Sequence, residues 1–244
     1  MSNKISLVIP TLNEPGICER LDMLMSYIRN SFQDHEFEIV IVDDSVDETF
    51  KLVEGYKRNV NDHEIVVIKG DNKGLGGAVK KGALTASGQI VFYIDSDLTI
   101  PLENIRRFVD LIEKDNYDIV IAERRLRRHL NNPMRLVLSF LLVLVVRIFF
   151  FHSLHFSDTV CVFKAFKRDV IQKLARAQSI NSGIFDLEYL YIASLNNKRI
   201  ASVQVKSLPE IRKTRIGLFG SAICVPVEIL RMKANKVMGR YTSA

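Results

Sequence analysis

Tryptophan is absent from the 244-residue chain, and cysteine occurs only as Cys18, Cys161 and Cys224. No two of these cysteines form a C-x-x-C pair, so neither a disulfide framework nor a zinc site is indicated. The sequence also lacks a P-loop, a G-x-S-x-G nucleophile elbow and an H-E-x-x-H zinc motif. A reducing compartment follows, and several common enzyme signatures are excluded.

Long apolar runs are also scarce. The segment Leu136–Phe151 is almost wholly apolar, but Arg147 interrupts it and it is shorter than the roughly 20 residues of a spanning helix. Because arginines precede it, we expect a helix in the membrane interface, with Arg135 and Arg147 reaching lipid headgroups. A buried core helix is the alternative. Ile216–Met232 is a second candidate for the interface, and Pro226 argues against one straight helix there.

The composition indicates a folded, basic protein. The chain is 48% hydrophobic and 25% charged, which predicts a packed core. Its net charge of +6 is compatible with nucleic acid, anionic lipid or phosphorylated substrates. The apolar run near the N-terminus is too short for a signal-peptide core, so we expect the protein to stay in the cytoplasm.

Strand and helix patterns alternate in the first half of the chain. Apolar strands such as "ISLVI", "FEIVIV" and "QIVFYI" are separated by helical spacing, which predicts an α/β fold with a mostly parallel sheet. Four strands end in polar or glycine-rich loops: "PTLNE", "DDS", "GDNKGLGG" and "DSD". Ligands bind at the carboxyl ends of such strands, so these loops predict one site.

Asp95 and Asp97 follow the fourth strand as a D-x-D pair. Two carboxylates at this spacing on an extended backbone point the same way, and they suit Mg²⁺ or Mn²⁺. A polar turn that closes the strand is the alternative.

Asp43 and Asp44 end the second strand, where carboxylates commonly bind a ribose or a base. The alternative is an N-cap for the helical stretch that starts near Asp47. The loop "GLGGAVKKG" lacks a dinucleotide fingerprint, because Val79 stands where a third glycine is needed. Its glycines indicate either ligand contact or tight packing of a helix start.

An ordered set of motifs resembles the family 2 inverting glycosyltransferases, and within them the dolichyl-phosphate mannose synthase group and its polyprenyl-phosphate glucosyltransferase relatives. From Ile5 to Ile211 the motifs are "ISLVIPTLNE", "IVIVDDS", "NKGLGGAVKKG", "FYIDSDLTIP", "SDTVCVFKAFKRDV" and "FDLEYLYIA". The resemblance implies a GT-A (Rossmann-like) fold, a nucleotide-sugar donor and Mg²⁺ or Mn²⁺ as cofactor.

Site residues follow from the resemblance by position. Asp95 and Asp97 are the implied metal ligands, and Asp97, Arg124 and Asp186 are the implied catalytic residues. Arg124 and Arg135 are expected at the acceptor phosphate. The residues expected at the nucleotide sugar are Pro10, Leu12, Asn13, Glu14, Asp43, Asp44, Lys73, Gly74, Asp95, Ser96, Asp97, Lys206 and Arg212.

The expected reaction is transfer of a hexose, with GDP-mannose favoured, to a polyprenyl (dolichyl) phosphate. UDP-glucose-dependent transfer is one alternative, and transfer to a sugar hydroxyl with Asp186 or Glu188 as base is another. We expect a single domain over 1–244, with a nucleotide-sugar-binding half (1–122) and an acceptor and membrane-interface half (123–244) that carries interfacial helices.

The expected location is peripheral, at the cytoplasmic face of the membrane. The chain ends at Ala244 without a spanning helix, so attachment is expected through the interfacial segments or a membrane-anchored partner. No nucleic-acid motif is present, and no nucleic-acid partner is expected.

Overall fold

Alternating strands and helices build one sheet with helices on both faces. A computed structural model describes residues 4–60, 64–124, 158, 161–206, 208 and 218–241. The strands within these residues are β1 (Lys4–Thr11), β2 (Glu36–Asp43), β3 (Ile65–Lys69), β4 (Ile90–Ile94), β5 (Ile119–Arg124), β6 (Phe163–Lys167) and β7 (Ile200–Val205).

The helices cover the two faces of this sheet. They are α1 (Ile17–Ser31), α2 (Thr49–Val60), α3 (Leu75–Thr85), α4 (Asn104–Glu113), α5 (Arg168–Ala177), α6 (Phe185–Leu195) and α7 (Leu218–Val237). Among the described residues, no helix combines the length and the apolar character that crossing a membrane requires.

The strand order is β3-β2-β1-β4-β6-β5-β7, and β6 alone runs antiparallel to its neighbours β4 and β5. The remaining pairs are parallel. The predicted mostly parallel α/β sheet is therefore confirmed, whereas β6 was not predicted. The division at residues 122 and 123 falls inside β5, and strands from both halves join the same sheet.

Alternation along the strands supplies both core layers. In β4, Phe92 and Ile94 pack on the face covered by α1, α2 and α4, while Val91 and Tyr93 pack on the face covered by α3, α5, α6 and α7. Period-two alternation sends successive side chains to opposite faces, and both faces here are apolar. All four side chains are buried, so the strand that precedes the D-x-D pair is held from both sides.

Glu38 joins three segments at the amino end of the sheet. Its carboxylate accepts hydrogen bonds from Ser6 Oγ at 2.6 Å and from Ser87 N and Oγ, both at 2.9 Å. Lys4 Nζ lies 3.6 Å from the same carboxylate. Burial alone would raise the pKa of Glu38, but these hydrogen bonds outweigh burial and lower it. Glu38 therefore fastens β1 and β2 to the segment that precedes β4.

Candidate active site

The predicted ligand loops meet at the carboxyl edge of the sheet. The loops after β1 and β2 are joined, because Asn13 N donates to Ser45 Oγ at 2.6 Å and Val46 N donates to Asn13 Oδ1 at 3.0 Å. Asn13 has φ 54°, in the left-handed region that asparagine tolerates. The loop after β1 and the D-x-D pair after β4 flank the point where the strand order reverses, which is where such sheets bind ligands.

The D-x-D pair lies in a turn and not on extended backbone. Strand β4 ends at Ile94, and Leu98 N donates to Asp95 O at 3.2 Å to close the turn. Leu98 adopts φ 49°, a costly conformation for a leucine that persists where surrounding packing enforces it. The expectation that both carboxylates point the same way from an extended backbone was therefore wrong.

The two aspartates nevertheless act on each other electrostatically. Burial, together with the negative charges of Asp97 and Asp186, raises the pKa of Asp95 to about 7. The positive charges of Arg124 and Lys164 oppose this rise. The turn therefore concentrates negative charge that a cation would relieve.

Arg124, at the end of β5, is held by Asp158. Its Nε lies 2.7 Å from Asp158 Oδ2, and its Nη2 lies 3.5 Å from Asp158 Oδ1. The Arg124 side chain remains 36% exposed, while that of Asp158 is 8% exposed. Two contacts to one carboxylate fix the guanidinium plane and leave part of it open to water. Asp158 belongs to the motif "SDTVCVFKAF", but it was not predicted as a site residue.

Three buried polar side chains meet beneath the D-x-D turn. Lys164 Nζ lies 3.0 Å from Asp186 Oδ1 and donates to Cys161 O at 2.6 Å. The Tyr93 hydroxyl donates to the same Asp186 oxygen. Lys164 and Asp186 are both 0% exposed. Burial raises the pKa of Asp186, and Lys164 and Tyr93 counteract it only in part.

The Tyr93–Asp186–Lys164 cluster links β4, α6 and β6. Asp186 lies in the first turn of α6, Lys164 lies in β6, and Tyr93 is two residues before Asp95. Asp186 Oδ2 is buried and has no hydrogen-bond partner within the described part of the chain. Lys164 was not predicted; a lysine inside an apolar strand is the signal that the sequence carries for it.

Glu188 is engaged elsewhere. It accepts hydrogen bonds from Ser179 N at 3.0 Å, Ser179 Oγ at 2.6 Å, Ile180 N at 2.9 Å and the Tyr241 hydroxyl at 2.5 Å. Positions i and i+2 of a helix do not share a face, so Glu188 and Asp186 point to different surroundings. Glu188 secures a loop and the C-terminal segment.

Comparison with known proteins fits this edge of polar loops. Residues 6–175 match the model of the family described as Glycosyl transferase family 2. The chain belongs to glycosyltransferase family 2. It is 31% identical to a dolichyl-phosphate beta-glucosyltransferase of Dictyostelium discoideum, over 96% of this chain and 75% of the relative. It is 33% identical to a dolichol-phosphate mannosyltransferase of Pyrococcus furiosus, over 69% of this chain and 47% of that relative.

The fold also matches a solved structure of glucosyl-3-phosphoglycerate synthase from Mycobacterium tuberculosis. That structure holds Mn²⁺, uridine diphosphate and glucosyl-3-phosphoglycerate. The TM-score is 0.65 with 19% identity, over 93% of this chain and 78% of the solved chain. The likeness supports the predicted GT-A fold for this family 2 glycosyltransferase.

In this glycosyltransferase, Asp43 and Asp44 bind the chain's own loops. Asp43 is 0% exposed, and its Oδ1 accepts from Thr11 Oγ1 at 2.8 Å and from Ser45 Oγ at 2.5 Å. Asp44 Oδ1 accepts from Asn72 N at 2.8 Å. Neither caps α2, because Asp47 Oδ1 accepts the hydrogen bond from Thr49 N at 2.9 Å. Contact of either aspartate with a base or ribose stays a prediction.

The glycine-rich loop is tightly packed. A Cβ at Gly74, which has φ 87°, would lie 2.9 Å from Asn181 O, and one at Gly76 would lie 2.7 Å from Phe185 Cβ. Gly76 N also donates to Asn181 O at 2.9 Å. These contacts support the packing interpretation of the loop. Lys73 beside it is exposed, with its Nζ 3.6 Å from Asp71 Oδ2.

The other predicted donor residues surround this edge. Pro10 is buried in β1, Leu12 is 42% exposed, and Glu14 pairs with Arg20 at 2.7 Å. Ser96 lies partly exposed in the D-x-D turn. Lys206 is exposed just before Leu208, whose N donates to Thr99 O at 2.8 Å beside that turn. Arg135 and Arg212 lie outside the described residues, as does Leu136–Phe151.

Asp95 and Asp97 suit a hard divalent cation. They supply carboxylate oxygens, the ligands that Mg²⁺ and Mn²⁺ prefer, in a turn where like charges already raise the pKa of Asp95. In the described ranges, no cluster of three or more histidine, cysteine or acidic side chains could hold a metal.

Proposed function

We propose that this enzyme transfers a hexose from a nucleotide sugar, with inversion, to a polyprenyl (dolichyl) phosphate. The observation that carries the proposal is that Asp186 and Glu188, the two candidate bases, are both held by other groups of the chain. Glu188 accepts hydrogen bonds from Ser179, Ile180 and Tyr241, and Asp186 is ion-paired with Lys164 beneath the surface. An acceptor that needs no base fits these contacts better than a sugar hydroxyl.

A phosphate monoester meets that requirement, because its oxygen is already ionised near neutral pH. Catalysis then rests on orientation and on electrostatic stabilisation. Arg124 would bind the acceptor phosphate through the part of its guanidinium that Asp158 leaves exposed. Arginine suits this role, because its planar fork matches phosphate oxygens. Asp158 would keep that fork oriented before the acceptor arrives.

The donor would lie across the loops after β1, β2, β3 and β4. Asp95 and Asp97 would hold Mg²⁺ or Mn²⁺, which neutralises charge on the departing diphosphate when bound. Lys206, exposed beside the D-x-D turn, would add positive charge near the same diphosphate. Asn13, Glu14, Asp43 and Lys73 remain our candidates for nucleotide contacts.

The choice of sugar divides the two donor candidates. The sequence motifs favoured GDP-mannose, and the Pyrococcus furiosus relative is named a mannosyltransferase. The Dictyostelium discoideum relative is named a glucosyltransferase and matches more of this chain. UDP-glucose and GDP-mannose are therefore equal candidates for the sugar donor.

The acceptor places the reaction at a membrane surface. We propose peripheral attachment at the cytoplasmic face, through the apolar segment Leu136–Phe151 and the arginines before it, or through a membrane-anchored partner. A lipid phosphate at the headgroup level would then meet Arg124 without leaving the bilayer.

The test uses matched acceptors that differ only in the phosphate. The protein is incubated with Mn²⁺ and radiolabelled GDP-mannose or UDP-glucose, with either a polyprenyl phosphate or the corresponding polyprenol. We expect label in the lipid phase only with the phosphate, and with one of the two donors. Equal transfer to the polyprenol would refute the phosphate acceptor, and no transfer from either donor would refute the proposed function.

A further inference from the structure

Gln178, the residue that follows α5, has a buried side-chain amide with four hydrogen-bond partners. Its Nε2 donates to Gly76 O at 2.9 Å, to Ile180 O at 2.7 Å and to Asn181 Oδ1 at 3.3 Å. Its Oε1 accepts from the Tyr189 hydroxyl at 2.7 Å. Only 6% of the residue is exposed. Because an amide donates from one side and accepts on the other, these partners fix its orientation.

The segment 178–182, which begins with this glutamine, is attached to two helices. Ser179 N donates to Glu188 on α6 at 3.0 Å, and Ser182 Oγ donates to Glu228 on α7 at 2.9 Å. These attachments give the 178–182 segment a defined place in the fold. Its contacts with the start of α3 therefore hold that helix end against α6 and α7.

The 178–182 segment contacts the glycine-rich loop through both backbone groups of Gly76. Gly76 O accepts from Gln178, and Gly76 N donates to Asn181 O at 2.9 Å. A Cβ at Gly76 would lie 3.0 Å from Asn181 C, and one at Gly74 would lie 2.9 Å from Asn181 O. The close approach of the segment therefore accounts for glycine at both positions.

The next glycine, Gly77, faces Lys73 instead. A Cβ at Gly77 would lie 2.7 Å from Lys73 Cβ, so glycine here leaves room for the Lys73 side chain. Lys73 is exposed and is one of our candidates for nucleotide contact. The same turn is thus fitted to the 178–182 segment through Gly76 and to Lys73 through Gly77. A shift of the turn would move Lys73.

We propose that Gln178 is a positioning residue for nucleotide-sugar binding. The inference rests on the proposed function, in which the donor lies across the loops after β1 to β4, and it names a residue outside those loops. Gln178 is 102 residues from Gly76 along the chain, and its hydrogen bond to Gly76 O sets the position of the turn. The turn in turn presents Lys73 at the carboxyl edge. A side chain held in place beforehand loses less freedom when the ligand binds.

The experiment measures binding of UDP and of GDP in the presence of Mn²⁺ by calorimetry, at a temperature where every variant is folded. Gln178→Met keeps a side chain of similar length that cannot donate hydrogen bonds. Its affinity for the nucleotide that wild type prefers should fall about tenfold or more, because small displacements of a binding group are costly.

Two controls separate positioning from general loss of stability. Tyr189→Phe removes the hydrogen bond to Gln178 Oε1 but leaves the donations to Gly76 O and Ile180 O, so it should bind the nucleotide nearly as wild type does. Glu38→Gln weakens the fold at the amino end of the sheet, and it should also bind as wild type does.

A second variant reaches Lys73 without touching the buried amide. Gly77→Ala crowds Lys73 Cβ and should lower nucleotide affinity, while thermal unfolding should show equal or higher stability because alanine favours a helix. In transfer assays, Gln178→Met and Gly77→Ala should raise the KM for the nucleotide sugar and leave the KM for polyprenyl phosphate unchanged.

The outcomes distinguish this inference from the proposed function. If wild type binds neither UDP nor GDP, the nucleotide donor is refuted, and the positioning role with it. If wild type binds one of them and Gln178→Met binds it equally well, the positioning role is wrong while the proposed function stands. The same conclusion follows if Tyr189→Phe loses as much affinity as Gln178→Met.

Discussion

At the amino end of the sheet, Glu38 and Asp118 are surrounded by donors. Asp118 accepts hydrogen bonds from Arg199 N at 2.9 Å and from Lys167 Nζ at 3.1 Å. Burial alone would raise the pKa of both carboxyl groups, but the hydrogen bonds prevail and lower both. At the carboxyl end, burial and like charge raise the pKa values of Asp95 and Asp186.

The two ends therefore use the same side chains for opposite purposes. Carboxylates supplied with donors stabilise the fold, whereas carboxylates crowded together at a cost to stability are typical of functional sites. Substitution of these carboxylates should accordingly lower stability more at the amino end and activity more at the carboxyl end. Four experiments test this division, and the first removes Lys164, the cation that offsets the crowding at the carboxyl end.

The largest effect on stability is expected at the carboxyl end, for Lys164→Met. Removing the ammonium leaves the Asp186 charge buried and without its ion-pair partner, which should lower the free energy of unfolding by about 3–5 kcal/mol. Lys164→Met/Asp186→Asn should recover much of that loss. Urea denaturation of both variants measures it. A single variant as stable as the double variant would show that Lys164 does not neutralise Asp186.

Asp97→Ala should lower the transfer rate at least about a hundredfold, because a metal ligand contributes several kcal/mol of charge stabilisation. Stability in EDTA should stay the same or rise, since the charge of Asp97 acts unfavourably on Asp95. Transfer assays with Mn²⁺ and thermal unfolding in EDTA measure the two effects. Full transfer by the variant would contradict the metal assignment.

Glu38→Gln is the matched change at the amino end. It should lower the free energy of unfolding by about 2 kcal/mol, because hydrogen bonds to a charged, buried acceptor are lost. Transfer at a temperature where the variant is folded should remain as in wild type, since Glu38 lies at the other end of the strands. A large loss of transfer without loss of stability would break the comparison.

The pH dependence of stability should differ between Asp95→Asn and wild type without metal. Below about pH 4, Asp95 is protonated in both folded and unfolded chains, so the two proteins should be similar. Between about pH 4 and 7 only the folded chain keeps the proton, so wild-type stability should fall as pH rises.

Above pH 7 the variant should be more stable, by on the order of 1 kcal/mol once solvent screening and Arg124 are allowed for. Glu38 acts in the opposite direction, because its lowered pKa gives stability that is lost only as pH falls below its unfolded value. Unfolding curves in EDTA across this pH range measure the difference. Parallel curves would contradict the crowding at Asp95.

The sequence predicted much of this edge because strand ends carry local signals. Apolar runs that stop at Asp43 or Asp95 indicate both a strand and its polar end. Strand β6 was not predicted because Lys164 interrupts its apolar pattern. Asp186, the ion-pair partner of Lys164, is distant along the chain. The pairing of Arg124 with Asp158 is likewise a property of the folded chain, since 34 residues separate the two in sequence.

The antiparallel strand β6 also bears on how this enzyme could be redesigned. Adjacent antiparallel strands such as β5 and β6, with Ile121 opposite Lys164, could be joined by a tight hairpin. In this chain, residues 125–162 connect the two strands instead. The connection begins at the end of β5 and ends at the start of β6, and both points lie at the edge of the sheet that carries the D-x-D turn. Loop length costs little once its ends are fixed. Changing the length of this connection should therefore alter the edge beside the D-x-D turn while the pairing of β5 with β6 is kept.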